Sequence, residues 1–198
     1  MTMLHEKNLN NKLVAEFLGT TFLLAAVVGS GIMGENLSRG ILGIALLANS
    51  IATGAVLTVL SLIFGPLSGA HFNPAVTISF VLQKKIKVSE AVFYIAVQVV
   101  GAFVGTIIAH LMFGEPVLTP STSLRTGPGQ WLGEFIATSG LIITIFGCIR
   151  VKPEAVAYAV GLYITAGYWF TSSTSFANPA VTLARAFTCL LYTSPSPR

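Results

Sequence analysis

A five-residue motif that could contact a small polar molecule occurs twice in the sequence. Residues 73–77 read Asn-Pro-Ala-Val-Thr, and residues 178–182 are identical to them. Asn-Pro is typical of a helix start, because Asn caps the first turn and Pro fits its first position. Each Asn amide can also donate a hydrogen bond to a passing oxygen. We assign six residues to the motif: Asn73, Pro74, Ala75, Asn178, Pro179 and Ala180.

Two glutamates form a second, looser repeat. Glu16 lies in Ala-Glu-Phe-Leu-Gly-Thr (15–20) and Glu134 in Gly-Glu-Phe-Ile-Ala-Thr (133–138), both within apolar segments. An ionisable group in such surroundings is costly, so it has a partner or a function. It is either a proton relay or a carboxylate that accepts hydrogen bonds from a loop and holds that loop in place. His71, close to Asn73, is interpreted as a residue that fixes its loop or lines a pore.

The other reactive residue types do not indicate an enzyme. Cys148 and Cys189 lie in apolar surroundings and match no metal-binding or redox spacing. The sequence contains no recognisable nucleophile–base pair and no cluster of metal ligands. We therefore expect no catalytic residue, no cofactor and no metal ion.

Composition shows which elements must position these residues. Of the 198 residues, 54% are hydrophobic and 9% are charged, and the mean hydropathy is +0.80. Soluble domains carry about 25% charged residues, so the lipid bilayer is the expected environment. The formal net charge of +4 does not indicate nucleic-acid binding, because the positive residues lie at the ends of apolar runs and form no basic stripe.

Apolar segments of about 20 residues predict membrane-spanning helices. We predict five, at residues 13–33, 41–64, 89–113, 130–149 and 155–171. Two shorter apolar segments, 74–83 and 179–190, each follow a stretch of small and polar residues. Irregular backbone at membrane depth is tolerated where it is buried in protein or lines a wet cavity. These two segments are therefore predicted to be re-entrant half-helices.

The order of the segments predicts an inverted repeat. The first copy covers about residues 12–113 and the second about 130–190. The two Glu-bearing helices are the first and the fourth span, an odd offset of three, so the second copy lies upside down. With Arg185 and Arg198 of the last segment left out of the count, a cytoplasmic N-terminus places seven Lys or Arg residues inside and two outside, as membrane topology favours. Inverted repeats with broken helices mark a binding or permeation site near the bilayer midplane.

Together these motifs resemble the aquaporin and glycerol-facilitator family, the major intrinsic proteins. The resemblance rests on the paired Asn-Pro-Ala boxes, the Glu-Phe pair on the first and fourth spans, and Ser-Gly-Ala-His-Phe at 68–72. It implies an all-α membrane protein with one channel domain, surrounded by lipid and assembled as a homotetramer. It also favours loop support as the role of Glu16 and Glu134.

The half-helices explain how such a channel would exclude charge. Each N-terminus carries unpaired N–H groups and about half a positive charge, and both point at the membrane centre. A water molecule that accepts from both Asn side chains turns its hydrogens away and cannot relay a proton there. The converging positive ends repel cations as well. The permeants are therefore expected to be neutral.

The family's outer constriction predicts the class of solute. Most members carry Arg directly after the second box, where this chain has Val181. Counting from the boxes gives Thr53, Ala166 and Ser175 as the other constriction residues. Such a ring is small and weakly polar, which favours water together with glycerol, urea or metalloid hydroxides such as arsenous acid. Arg185, one turn after Val181, either adds charge to the outer vestibule or extends to the lipid headgroups.

The sequence leaves two further questions open. The family fold has a sixth span, which we expect to be missing here, and residues 191–198 are expected to be a non-native tail. The alternatives to a channel are therefore a coupled secondary transporter, which also uses broken helices, and a non-conducting truncated product. The Val-containing box resembles a bacterial subgroup, which suggests a multi-pass protein of a bacterial inner membrane.

Overall fold

The chain folds as a set of apolar helices, several of which are long enough to cross a bilayer. The computed structural model describes residues 8–117 and 126–186, and within them it contains α-helices and one 3₁₀ turn but no strand. The helices are α1 (Leu9–Ser38), α2 (Leu42–Ser68), α3 (Pro74–Leu82), α4 (Val88–Phe113), α5 (Pro128–Val151), α6 (Val156–Phe170) and α7 (Pro179–Arg185). Of these described helices, α1, α2, α4 and α5 are long and apolar enough to span a membrane.

The fifth predicted span corresponds to α6, which is shorter than expected. It contains 15 residues and is preceded by the 3₁₀ turn Pro153–Ala155. With rises of about 1.5 Å per α-helical residue and about 2.0 Å per 3₁₀ residue, the two together rise about 28 Å. That is close to the hydrocarbon thickness of about 30 Å, so the short helix is compatible with a span.

Helix α2 continues beyond its predicted end at residue 64. It passes through Pro66 and ends at Ser68, before Gly69 in a left-handed conformation with φ 93°. The Gly69 N–H donates to the Gly65 carbonyl at 3.0 Å, which closes the last turn. The predicted end of this span at residue 64, before Gly65 and Pro66, is wrong because the helix stops only where glycine permits a positive φ.

Close helix crossings depend on glycines. On α4, a Cβ at Gly101 would lie 2.7 Å from the Phe17 carbonyl oxygen of α1. Between α2 and α6, a Cβ at Gly161 would lie 2.6 Å from the Gly54 carbonyl oxygen, and one at Gly54 would lie 2.7 Å from that of Gly161. Small residues therefore bring these backbones into contact, as in other membrane helix pairs.

The two repeats occur in the predicted order. Helices α1, α2 and α3 correspond to α5, α6 and α7, and the half-helices α3 and α7 contact each other. Some expectations lie outside the described residues: the charges at Lys7 and Arg125, the end of the second half-helix at residue 190, Cys189, and the tail 191–198. Within the described residues, α4 has no counterpart in the second repeat.

Candidate permeation site

Each repeated box forms the start of a half-helix. The Asn73 side-chain oxygen accepts from the Ala75 N–H at 2.8 Å, and the Asn178 oxygen accepts from the Ala180 N–H at 3.0 Å. Pro74 and Pro179 occupy the first helical positions. The local sequence therefore determines both the start of each half-helix and the orientation of its Asn amide, since the oxygen is committed to capping.

The two boxes are joined by reciprocal hydrogen bonds. Asn73 Nδ2 donates to the Ala177 carbonyl at 2.6 Å, and Asn178 Nδ2 donates to the Phe72 carbonyl at 2.8 Å. Each bond links one repeat to the residue that precedes the other box. An Asn amide carries two N–H groups. One N–H of each Asn is thus used for bracing, and one is left to interact with the cavity that both residues line.

Glu16 contacts the first loop from α1. The residue is fully buried. One carboxylate oxygen accepts from Ser68 Oγ at 2.6 Å and from the His71 N–H at 2.9 Å. The other accepts from the Phe72 N–H at 2.7 Å and from Gln98 Nε2 at 2.8 Å. Four donors therefore converge on this carboxylate, two of them backbone groups directly before Asn73.

Glu134 occupies the equivalent position in the second repeat. Its two oxygens accept from the Phe176 N–H at 2.9 Å and from the Ala177 N–H at 2.7 Å. These are the two residues before Asn178, just as His71 and Phe72 precede Asn73. The inverted repeat thus reproduces the carboxylate contact atom for atom at the backbone.

The two loops also share an unusual backbone. Residues 69, 70 and 72 have φ values of 93°, 50° and 48°, and residues 174, 175 and 177 have 59°, 53° and 47°. Only Gly69 among them is glycine. Left-handed conformations cost other residue types about 1–2 kcal/mol each. The carboxylate bonds supply the interactions that offset this cost and keep the loop N–H groups satisfied.

His71 lies between the first loop and the cavity. Its Nδ1 is 3.1 Å from Thr77 Oγ1, and its ring centroid is 4.4 Å from that of Phe80. Gln98 Nε2 also donates to Thr77 Oγ1 at 3.0 Å. Thr77 therefore connects His71 to the Glu16 network, a role that the sequence analysis did not assign to it. The only signal in the sequence was its recurrence in both boxes.

A cavity of about 420 Å³ runs along the half-helices. Thr53, Ser175 and Val181 line it, together with both Asn residues and His71. Most of its remaining wall is apolar, contributed by α2, α5 and α6. A largely apolar cavity with a few directed polar groups is typical of sites for small molecules.

The structure corrects one constriction residue. Ala166 is exposed and does not line the cavity, whereas Ile164 and Tyr168 on the same helix do. The Tyr168 hydroxyl is 3.1 Å from Thr53 Oγ1. Thr53 and Ser175 were assigned from spacing without gaps, whereas the assignment of residue 166, next to Gly167, did not rest on a gap-free count. The cavity wall beside Thr53 therefore includes the aromatic residue Tyr168.

Arg185 is buried beside the wall of the cavity. It is 7% exposed, and its guanidinium carbon lies 5.4 Å from the Phe176 ring centroid. Phe176 lines the cavity. The cation therefore packs against an aromatic residue of the cavity wall.

Apolar spans around a cavity capped by two opposed half-helices define an integral membrane protein, and comparisons with known proteins identify its family. The family model described as Major intrinsic protein matches residues 3–152. Aquaglyceroporin AqpS of Rhizobium meliloti (strain 1021) is 56% identical over 185 residues, which cover 93% of this chain and 79% of AqpS. The chain belongs to the major intrinsic protein family, whose members are channels and not enzymes.

More distant relatives agree with this assignment. Aquaporin-4 of Mus musculus is 32% identical over 183 residues, which cover 87% of this chain and 55% of that protein, so the chain spans about half of its length. The X-ray structure of the aquaglyceroporin from Plasmodium falciparum matches with a TM-score of 0.72 at 21% identity, covering 96% of this chain and 90% of that chain. This structural match confirms the predicted all-α, aquaporin-like fold.

Proposed function

We propose that the protein is a passive channel for water and small uncharged solutes, with one pore in a single channel domain. The observation that carries this proposal is the reciprocal bracing of Asn73 and Asn178, which sets two amide donors and two helix N-termini against one cavity. Fixed positive ends beside the cavity disfavour cations, while a neutral solute loses little by passing them.

The carboxylate contacts favour a channel over a coupled transporter. A transporter would need an ionisable group that binds substrate or proton near the midplane. Glu16 and Glu134 are the candidates from the sequence, and both accept hydrogen bonds from loop N–H groups. We assign them, with His71, to loop support.

The permeants include solutes larger than water. Val181 stands where most family members carry Arg, and its side chain lies at the cavity without charge. The cavity wall is mainly apolar, and Tyr168, Thr53 and Ser175 supply hydroxyl groups. Polyhydroxy solutes can contact both kinds of surface, which supports glycerol, urea and metalloid hydroxides such as arsenous acid. The relative named an aquaglyceroporin adds weight to this choice.

We place the protein in a bacterial inner membrane with its N-terminus in the cytoplasm and a homotetrameric assembly. The bacterial relative supports the location. The positive residues near α3 and at the end of α5 support the orientation, because cytoplasmic loops are enriched in Lys and Arg.

Solute selectivity is tested with Val181→Arg in lipid vesicles. A buried cation that narrows the constriction should reduce glycerol and arsenite flux at least about tenfold, equivalent to about 1.4 kcal/mol in the barrier, with a smaller loss of water flux. Osmotic swelling followed by light scattering measures all three. Val181→Met is the matched control, since it adds length without charge. Equal loss of every solute in Val181→Arg, or no loss, would show that Val181 does not set selectivity.

A further inference from the structure

The membrane face at which α1 begins carries an uncompensated group of cations. Lys84, Lys85 and Lys87 lie between α3 and α4, and Arg150 and Lys152 lie at the end of α5. All five are exposed. We call these five residues the cationic rim.

Few carboxylates balance the rim. Glu90 lies close by, but it accepts from Lys12 Nζ at 2.9 Å, which is the one ion pair among residues 8–117 and 126–186. Glu154, at the mouth of the cavity, is the other carboxylate of this face within the same residues. The rim therefore retains an excess of positive charge in the part of the chain that the structure describes.

The two segments of the rim lie side by side. Lys85 Nζ is 5.2 Å from the Phe146 ring centroid on α5 and 5.8 Å from that of Phe80 on α3. Phe146 is one helical turn before Arg150, so both residues lie on one side of α5. The cation–aromatic contact thus joins the end of the first half-helix to the end of α5.

The backbone holds the first segment in a fixed shape. Lys84 has a φ of 55°, and its N–H donates to the Val81 carbonyl at 2.8 Å. The Lys85 N–H donates to the Phe80 carbonyl at 2.9 Å. This pair of bonds is the Schellman arrangement that ends a helix. It turns Lys85 back over Phe80 and leaves Lys84 and Lys87 directed away from the protein.

Exposed apolar side chains flank the cations. Leu82, Val88 and Val151 are 76%, 67% and 83% exposed, and each lies within two residues of a rim cation. A soluble anion would use the charges alone. A lipid uses both, because its acyl chains contact the apolar residues while its phosphate meets the ammonium and guanidinium groups.

We propose that the cationic rim binds the phosphate headgroups of anionic lipids, with the acyl chains against Leu82, Val88 and Val151. Each cation near an anionic headgroup strengthens association about fivefold. The site is separate from the permeation cavity, so it is tested without measuring flux.

The test uses a variant with Lys84→Gln, Lys87→Gln, Arg150→Gln and Lys152→Gln, which keeps Lys85 in its aromatic contact. The purified full-length protein in neutral detergent is titrated with dioleoyl-phosphatidylglycerol or dioleoyl-phosphatidylcholine, and retained lipids are counted by native mass spectrometry. We expect tighter retention of phosphatidylglycerol, weakened at least about a hundredfold in the variant. The matched control exchanges Lys for Arg and Arg for Lys at the same four positions and should retain the lipid.

Three results would overturn the proposal. Equal retention of the two lipids would show that the cationic rim does not distinguish anionic from zwitterionic headgroups. Unchanged phosphatidylglycerol binding in the Gln variant would place that lipid elsewhere. Displacement of the lipid by an equal concentration of inorganic phosphate would identify a soluble anion as the ligand.

Discussion

The two half-helix loops have the same backbone but are held to different extents. In both, a glutamate of the first helix of the repeat accepts from the two N–H groups directly before the Asn. Glu16 is fully buried and accepts from Ser68 and Gln98 as well. Glu134 is partly exposed and makes only the two backbone contacts within the described residues. Both repeats thus have the carboxylate contact that shapes the loop. The burial and the additional donors around each carboxylate determine how much that contact contributes to the free energy of unfolding.

The largest expected effect distinguishes the two glutamates. Glu16→Gln replaces an oxygen that accepts two hydrogen bonds, and it strands two donors at about 1–3 kcal/mol each, or about 2–6 kcal/mol in total. Glu134→Gln strands one donor and should cost about 1–3 kcal/mol. Thermal unfolding of the detergent-solubilised variants measures the difference. A loss for Glu134→Gln that equals or exceeds the loss for Glu16→Gln would contradict the comparison.

Two glycines, one on α4 and one on α5, differ in the space available to an added methyl group. Gly101→Ala would press a methyl group against the Phe17 carbonyl between α1 and α4, and such overpacking costs about 1–3 kcal/mol. A Cβ at Gly147 on α5 meets nothing within 4 Å. Gly147→Ala is the matched control and should be neutral or stabilising by up to about 1 kcal/mol. The same unfolding assay reports both variants, and a destabilised Gly147→Ala would mean that α5 is packed more tightly than the structure shows.

The smallest expected effect concerns the contact that joins α2 of the first repeat to α6 of the second. Thr53→Val and Tyr168→Phe each remove the bond between the two hydroxyls, which contributes about 0.5–1.5 kcal/mol. The two changes together should cost less than their sum, because either one already breaks the bond. Strict additivity in a double-mutant cycle would show that Thr53 and Tyr168 do not interact.

The sequence predicted well those helix starts that neighbouring residues alone determine. Asn-Pro pairs start α3 and α7 at the expected residues, because capping and the fixed φ of proline act over one turn. The end of α2 was predicted wrongly because Pro66 does not stop the helix. The hydrogen bond that Pro66 removes lies close to the end of α2, and Gly69 closes the helix. A proline near the end of a helix therefore does not show whether the helix ends before the proline or continues past it.

The cavity wall was harder to predict, because it depends on the lengths of irregular segments between helices. The spacing of apolar residues in the sequence does not give those lengths. Tyr168 was missed since the irregular segment before Asn178 has no sequence signal for its path. Thr77 and Lys85 were missed for another reason. Their partners Gln98 and Phe146 lie on other helices, and such contacts exist only after the helices pack. The equivalent positions of Glu16 and Glu134 could be predicted, because the same Glu-Phe pair occurs in the first helix of each repeat.

The function proposed for the braced Asn pair is to admit neutral solutes and to exclude ions. It is tested most directly by measuring glycerol permeability and proton leak in the same vesicles containing the full-length protein, against vesicles of lipid alone. We expect a non-saturating rise in glycerol flux that is insensitive to a pH gradient, with no added proton leak. Saturable uptake driven by the proton gradient, or no glycerol flux above that of lipid alone, would contradict it.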